Sequence, residues 1–123
     1  MTAVAELTGA DLALWVARAA RLEGAEIAHG HCRVGAKGTS QRRDFAPHED
    51  WAQGGPLIDQ FDVMFEVAAE VYDASYYAYL EGVDSTADRP FPIGQYGKTR
   101  LVAASRAIVE SVYGDTVPDE VAP

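Results

Sequence analysis

Three side chains that could ligate a metal ion stand within four residues, at His29, His31 and Cys32. A closed zinc site takes about four ligands, and a second well-spaced pair normally supplies the others. Residues 48–50 also carry groups that could ligate a metal ion, but they are not spaced as the residues of the first cluster are. We therefore predict no metal site and interpret the cluster as histidines at a strand end beside a small buried thiol.

Gly97, Lys98 and Thr99 stand directly before a predicted helix, as the last residues of a phosphate-binding loop do. That loop also requires a glycine five residues before Gly97, where this chain has Pro92. No strand is predicted to lead into the segment, and a Thr99 side chain that caps the helix explains the same residues. We therefore predict that the chain binds neither a nucleotide nor another cofactor.

Nucleophilic catalysis would need an exposed serine elbow or an activated cysteine, and the sequence has no G-x-S-x-G motif. Cys32 and His48 could form a nucleophile and base, but any chain with one cysteine and three histidines offers such a pair. Acidic pairs such as Asp59 and Asp62 fall on the polar side of an alternating segment, which indicates solvated carboxylates. We assign no catalytic residue.

A segment dense in glycine and proline, residues 45–58, is anchored by large apolar side chains and is predicted to be an ordered loop. The centre of this segment is the candidate recognition loop, which comprises Asp50, Trp51, Gln53, Gly54, Gly55 and Pro56.

Two interpretations of this loop remain open, and in both of them Trp51 packs beneath it. In the first, the Gln53 amide and the glycine backbone are free to meet a ligand or partner. In the second, the turn only reverses the chain and Trp51 plugs the core. The second interpretation predicts that Gly55→Ala is destabilising and that Gln53→Ala changes nothing measurable.

Two segments have the periodicity of amphipathic helices. Thr8 is predicted to cap a helix over residues 9–23, and Thr99 a helix over residues 100–113 that ends before Gly114. Each helix has one apolar stripe, so we expect Trp15 and Ile108 to be buried.

Every odd position from Phe61 to Val71 is apolar, which favours a strand for at least residues 61–67, although a helical interpretation of the segment stays open. Residues 75–80 are a similar run that could complete a hairpin with this strand. Residues 25–34 indicate a short strand or extended connection, 35–41 a mobile loop, and 81–98 a long surface loop. The predicted fold class is α+β, with two main helices packed on the same small antiparallel sheet and with long ordered loops.

The charge of the chain is strongly acidic, with nineteen Asp and Glu against ten Lys and Arg and a formal net charge of −9. Eleven acidic residues and no basic ones stand in residues 44–88, directly after a basic segment at 33–43. This balance disfavours generic binding to DNA. The absence of an apolar run of about 20 residues excludes a predicted membrane span, and residues 1–123 suit a single domain.

Three segments together resemble the NinX-like family of small phage proteins of unknown function. They are Leu7–Ala17, Phe45–Ile58 and Gly97–Val109, in the family's order and at about its spacing. Arg100 stands where the family pattern usually has proline, and Ser105 where methionine is common. The resemblance implies a phage or prophage source and action in the host cytoplasm, and it carries no assigned catalytic residue.

These observations favour a non-enzymatic accessory protein that works by binding another protein. One alternative is an acidic mimic of DNA that inhibits a nucleic-acid enzyme, which requires carboxylates clustered on one side. Another is an enzyme for a small molecule that uses residues 51–56 as a pocket wall, with His48, Asp50 and Gln53 in one cleft. The sequence does not fix the oligomeric state.

Overall fold

A computed structural model describes residues 1–68, 75–80 and 93–119 of the chain. These residues form three α-helices, namely α1 (Gly9–Ala19), α2 (Trp51–Gln60) and α3 (Arg100–Tyr113), and a short 3-10 helix at Val4–Glu6. The strands are β1 (Thr2–Ala3), β2 (Glu26–Ala28), β3 (His31–Val34), β4 (Arg43–Asp44), β5 (Val63–Val67), β6 (Tyr76–Leu80), β7 (Ile93–Gly97) and β8 (Thr116–Val117). All strand pairs are antiparallel, which confirms the predicted α+β class.

Helix α3 has the predicted bounds because signals at both of its ends agree. The Thr99 hydroxyl accepts a hydrogen bond from the Val102 N–H at 3.1 Å and so satisfies one unpaired donor of the first turn. Gly114 follows the helix with a φ of 87°, a conformation that glycine adopts without steric cost. Thr8 occupies the same position before α1, but its side chain makes no capping hydrogen bond.

Helix α1 ends at Ala19, four residues before its predicted end. Arg21 adopts a left-handed backbone conformation with a φ of 59°, which turns the chain away from the helix axis. The Leu22 N–H then donates to the Ala17 carbonyl at 2.9 Å, as in a Schellman helix end.

The candidate recognition loop is a helix in the structure, so the prediction of a loop was wrong. The Asp50 carboxylate accepts a hydrogen bond from the Ala52 N–H at 2.9 Å and caps α2. Gly54, Gly55 and Pro56 lie in the middle of α2 even though glycine costs about 1 kcal/mol and proline about 3 kcal/mol in a helix interior. Tertiary contacts of α2 therefore outweigh its poor intrinsic propensity.

The sheet β5-β6-β7 corrects two predicted boundaries. Strand β5 begins at Val63, two residues later than predicted, because Asp62 takes a φ of 52° after α2. Strand β7 occupies part of the predicted surface loop, and residues 81–92 of that loop lie outside the described residues. The two strands of the predicted hairpin pair as expected, with Val63 opposite Leu80.

The sheet β2-β3-β4 lies in a region where one strand or an extended connection was expected. His29 and Gly30 form the turn between β2 and β3, with φ values of 55° and 80°. His29 is therefore outside the strand, whereas Cys32 lies on β3 and is buried.

Helices α1 and α3 pack against each other but on different sheets, so the prediction of one shared sheet was wrong. Helix α1 contacts β2 and β3, whereas α3 lies on β5, β6 and β7. Each helix is buried on more than one side as a result. Trp15 and Ile108 are both buried, as predicted, and the core helix α3 also carries the buried Ser105.

The two glycines of α2 differ in what surrounds them. A Cβ atom at Gly54 would meet the Pro47 carbonyl oxygen and, at 2.7 Å, the Leu101 Cδ2 atom. A Cβ atom at Gly55 has only the Trp51 Cε3 atom nearby, at 4.0 Å. The close contacts of α2 therefore require glycine at position 54 and not at position 55.

We predict opposite effects for alanine at these adjacent positions. Gly54→Ala forces α2 away from Pro47 and Leu101 and is expected to lower the free energy of unfolding by about 1–3 kcal/mol. Gly55→Ala adds a better helix former in open space and is expected to raise it by about 0.5–1 kcal/mol. Urea denaturation of both variants tests this, and equal effects would contradict the close contact.

Candidate functional site

A cleft of about 620 Å³ lies where α2 and α3 begin. We call it the Trp51 cleft, and its lining residues are His48, Glu49, Trp51, Tyr76, Lys98, Thr99, Arg100, Leu101 and Val102. Its volume is within the range of about 300–1,000 Å³ that is typical of ligand pockets. Residues 48–51 and 98–102, far apart in sequence, therefore meet on one surface.

Trp51 forms one wall of this cleft and is 55% exposed. The expectation that it packs beneath the segment, shared by both interpretations of the recognition loop, was wrong. Trp51 is the first residue of α2, directly after the Asp50 cap, and the helix directs its side chain outward. The core therefore does not account for a tryptophan at this position.

Arg100 and Tyr76 form a cation–π pair in the lining of the cleft. The Arg100 Cζ lies 4.5 Å from the centroid of the Tyr76 ring, within the range of such contacts. Lys98 and Thr99, which also line the cleft, precede Arg100 at the start of α3. Lys98, Arg100 and the exposed Trp51 ring therefore line the same cleft on an acidic chain.

His48 also lines the cleft, and its side chain is largely buried. Its Nδ1 atom is buried and has no hydrogen-bond partner among the described residues, and its Nε2 atom is 3.9 Å from a Glu49 carboxylate oxygen. Burial lowers the pKa of His48 below its usual value of 6.5, and the Glu49 charge partly opposes this shift. The imidazole is therefore neutral at pH 7.

A smaller cavity of about 190 Å³ adjoins the same segment and is lined by Cys32, Asp44, His48 and other residues of β3 and the start of α1. The structure thus brings Cys32 and His48 to one cavity. Burial raises the pKa of the Cys32 thiol to about 11. A thiol that stays protonated at neutral pH is a poor nucleophile, which disfavours the Cys32–His48 pair as a catalytic site.

The six residues of the candidate recognition loop separate in the structure. Of them, only Trp51 lines the Trp51 cleft, whereas Asp50 caps α2 and Gly54 packs against Pro47. The Gln53 amide is engaged within the chain: it donates to the Asp44 carbonyl and accepts from the Ala46 N–H, each at 2.7 Å. The first of the two interpretations, in which the Gln53 amide is free, was therefore wrong.

The Gly97-Lys98-Thr99 segment also differs from its prediction. Strand β7 does lead into it, although no strand was expected there. A Cβ atom at Gly97 would lie 2.9 Å from the Cα of Ala103, so this glycine is required by the packing of α3. The Thr99 hydroxyl caps the helix, as predicted.

Sequence reasoning missed Tyr76, Arg100, Leu101 and Val102 as lining residues. Residues 75–80 were predicted to form a strand, but the pairing of Tyr76 with Arg100 depends on how α3 lies on β6. No group of three or more His, Cys, Asp or Glu side chains within residues 1–68, 75–80 and 93–119 is arranged to hold a metal ion. Likewise, none of the helices described is long and apolar enough to cross a membrane.

The basic segment and the start of the acidic segment are in direct contact. Arg33 pairs with Asp44 across β3 and β4 at 3.2 Å, and Arg42 pairs with Glu26. Arg42 also donates to the carbonyls of Gly24, at 2.6 Å, and Gly35, at 2.8 Å. These cations hold the chain together around the loop at residues 35–41.

Comparison with known families gives one match, to the model described as Bacteriophage P22, NinX, over residues 3–111. The matched range contains α1, α2 and all of α3 except its last two residues. It confirms the resemblance drawn from the three sequence segments. No curated protein matches the chain.

We predict that Gln53→Ala is destabilising, in contrast to the expectation from sequence. The substitution leaves the Ala46 N–H and the Asp44 carbonyl without their partner and is expected to cost about 1–3 kcal/mol. Gln60→Ala, at the exposed last position of α2, is the matched control and should change the free energy of unfolding by less than about 0.5 kcal/mol. Equal denaturation curves for the two variants would contradict the structural role of Gln53.

The buried His48 predicts a pH dependence of stability. Its folded-state pKa is lowered, so below about pH 6.5 the unfolded chain binds a proton that the folded chain resists. Stability from this residue is complete above that pH and declines as the pH falls towards 5. His48→Gln should reduce this slope in urea titrations at pH 7 and pH 5, whereas the exposed His31→Gln should preserve it.

Proposed function

This chain belongs to the bacteriophage P22 NinX family, and we propose that it is a phage or prophage accessory protein that binds another protein through the Trp51 cleft. The observation that carries the proposal is the exposure of Trp51 on the wall of a cleft that has room for a ligand. On this proposal the protein acts in the cytoplasm of the host cell.

The chemistry of the Trp51 side chain supports a role in binding. Tryptophan is enriched among the few residues that dominate the energy of protein interfaces, because its large ring buries much apolar area and its N–H can still be satisfied. Trp51 lies at the rim of a concave surface beside cations and a second aromatic ring. Other exposed apolar residues, such as Val67 and Val112, do not line this cleft.

The enzyme alternative has less support from the geometry. It requires His48, Asp50 and Gln53 in one cleft, but of these only His48 lines the Trp51 cleft. Asp50 and Gln53 are engaged in a helix cap and in holding residues 44–46.

The DNA-mimic alternative requires free carboxylates on one side of the molecule. Asp44 is paired with Arg33, and Asp50 caps α2, so two carboxylates of the acidic segment serve internal contacts. No observation on the described part of the chain favours an acidic surface over the Trp51 cleft.

We predict that Trp51→Ala abolishes partner binding without unfolding the protein. Immobilised wild-type and variant chains are incubated with lysates of host cells that carry the phage, and captured proteins are quantified by mass spectrometry. A partner that depends on Trp51 should be captured at least about 30-fold less by the variant, the loss expected for a hot-spot residue worth about 2 kcal/mol.

The matched control is Val67→Ala, because Val67 is 74% exposed on β5 and lies outside the cleft lining. This variant should capture the same partner as the wild type. Both variants should retain the wild-type melting temperature within a few degrees, because neither side chain is in the core. Equal capture by the wild type and Trp51→Ala would overturn the proposed function.

A further inference from the structure

We infer that the Trp51 cleft takes an acidic peptide segment of its partner, with a carboxylate on Arg100 and a neighbouring apolar side chain against Trp51. This inference rests on the proposed function and adds the chemical class of the partner. It arises from the Arg100 guanidinium and the exposed Trp51 ring, which line the same cleft.

The side chains that line the cleft carry two cations, Lys98 and Arg100, and one carboxylate, Glu49. His48 adds no charge at neutral pH because burial lowers its pKa. The Arg100 guanidinium thus lines a cleft on a chain of net charge −9. Because charges more than about 8 Å away are largely screened at physiological salt, these nearby groups decide which ligand is favoured.

The Glu49 carboxylate, which also lines the cleft, lies near the imidazole of His48. Its Oε2 atom is 3.9 Å from the His48 Nε2 atom. Lys98 is engaged in a contact of its own. The carboxylate of the ligand is therefore assigned to Arg100 alone.

Arg100 is the residue best suited to receive a carboxylate. Tyr76 is its contact among the described residues, and a cation–π contact involves the face of the guanidinium group rather than its N–H donors. The planar guanidinium can then donate two parallel hydrogen bonds to one carboxylate, a geometry that lysine cannot reproduce. The Tyr76 ring restricts the Arg100 side chain before the ligand arrives, which reduces the entropy lost on binding.

The position of Arg100 in α3 adds to the same preference. It is the first residue of a helix of 14 residues, where the helix dipole favours negative charge. The Thr99 hydroxyl occupies the Val102 N–H, so the carboxylate is not needed as a helix cap. The helix dipole thus adds to the attraction between the Arg100 guanidinium and the carboxylate of the ligand.

The apolar part of the ligand is assigned to Trp51. The exposed Trp51 ring and the partly buried Val102 offer apolar surface within the same cavity. A volume of about 620 Å³ is large enough for a short segment of peptide but not for a folded domain. An acidic residue next to a large aliphatic or aromatic residue can contact Arg100 and Trp51 at once.

The contribution of the Arg100 side chain can be tested with a proline at this position. Proline is favoured at the first position of a helix, so Arg100→Pro removes the charge without opposing the backbone. This substitution therefore isolates the guanidinium from the fold.

The experiment is selection of a displayed random-peptide library on the wild-type protein, with counter-selection on Trp51→Ala. Enriched peptides should contain Asp or Glu next to a large apolar residue. The affinity of one enriched peptide is then measured by calorimetry for the wild type, Arg100→Pro and Glu49→Gln. Arg100→Pro should weaken binding about tenfold, as expected for loss of a hydrogen bond to a charged group, and Glu49→Gln should strengthen it about two- to fivefold.

Several outcomes would overturn the inference. They are the absence of any enriched peptide, enrichment of neutral or basic peptides, and an affinity for acidic peptides that Arg100→Pro leaves unchanged. Displacement of the peptide by ATP with magnesium, or by raising the concentration of the chain itself, would assign the cleft to a nucleotide or a second copy instead. If lysate capture depends on Trp51 but not on Arg100, the proposed function stands and the acidic-peptide inference fails.

Discussion

The close contact between helix α3 and strand β7 is the constraint on which the rest of the structure depends. Gly97 ends the strand, and a Cβ atom there would lie 2.9 Å from the Cα of Ala103, so the two backbones approach without a side chain between them. Small buried residues continue along the helix at Ala104 and Ala107. Arg106 crosses the contact and donates to the carbonyls of Tyr96, at 2.9 Å, and Leu7, at 3.1 Å. One helix is thereby fixed to a sheet and to the segment that precedes α1.

This contact also determines where the Trp51 cleft forms. Because α3 begins three residues after β7 ends, Arg100 is placed over Tyr76 on the adjacent strand. Helix α2 approaches the same end of α3 through Gly54, which lets Leu101 pack against its backbone. Gln53 then ties α2 to residues 44–46, and the Asp50 cap sets the start of the helix at Trp51. The exposed indole and the guanidinium face one cavity because both helices are held by contacts that involve neither group.

The sequence predicted those elements for which local and tertiary preferences agree. Both ends of α3 carry strong signals, a threonine cap and a closing glycine, and its bounds were correct. In α2 the local signals oppose the fold, because two glycines and a proline indicate a loop in any single-sequence interpretation. Glycine was likewise misleading in β7, where Gly94 makes room for the Tyr77 ring and Gly97 for α3. In each case the glycine reflects a neighbour that is distant in sequence, and periodicity does not reveal such a neighbour.

The candidate site was predicted in part for the same reason. Trp51 was included in the candidate recognition loop as a side chain that packs beneath it, whereas the structure leaves it 55% exposed. The fold explains the other residues of these segments. Asp50 caps α2 and Thr99 caps α3. Gln53 ties α2 to Ala46, and Gly54 packs against Pro47. What remains after these assignments is a short set of side chains that stability does not require, chiefly Trp51 and Arg100. Trp51 and Arg100 come from segments that the sequence does not show to be adjacent, so the cleft that they share is a property of the fold. The chemistry of these two side chains defines the ligand that the cleft can accept.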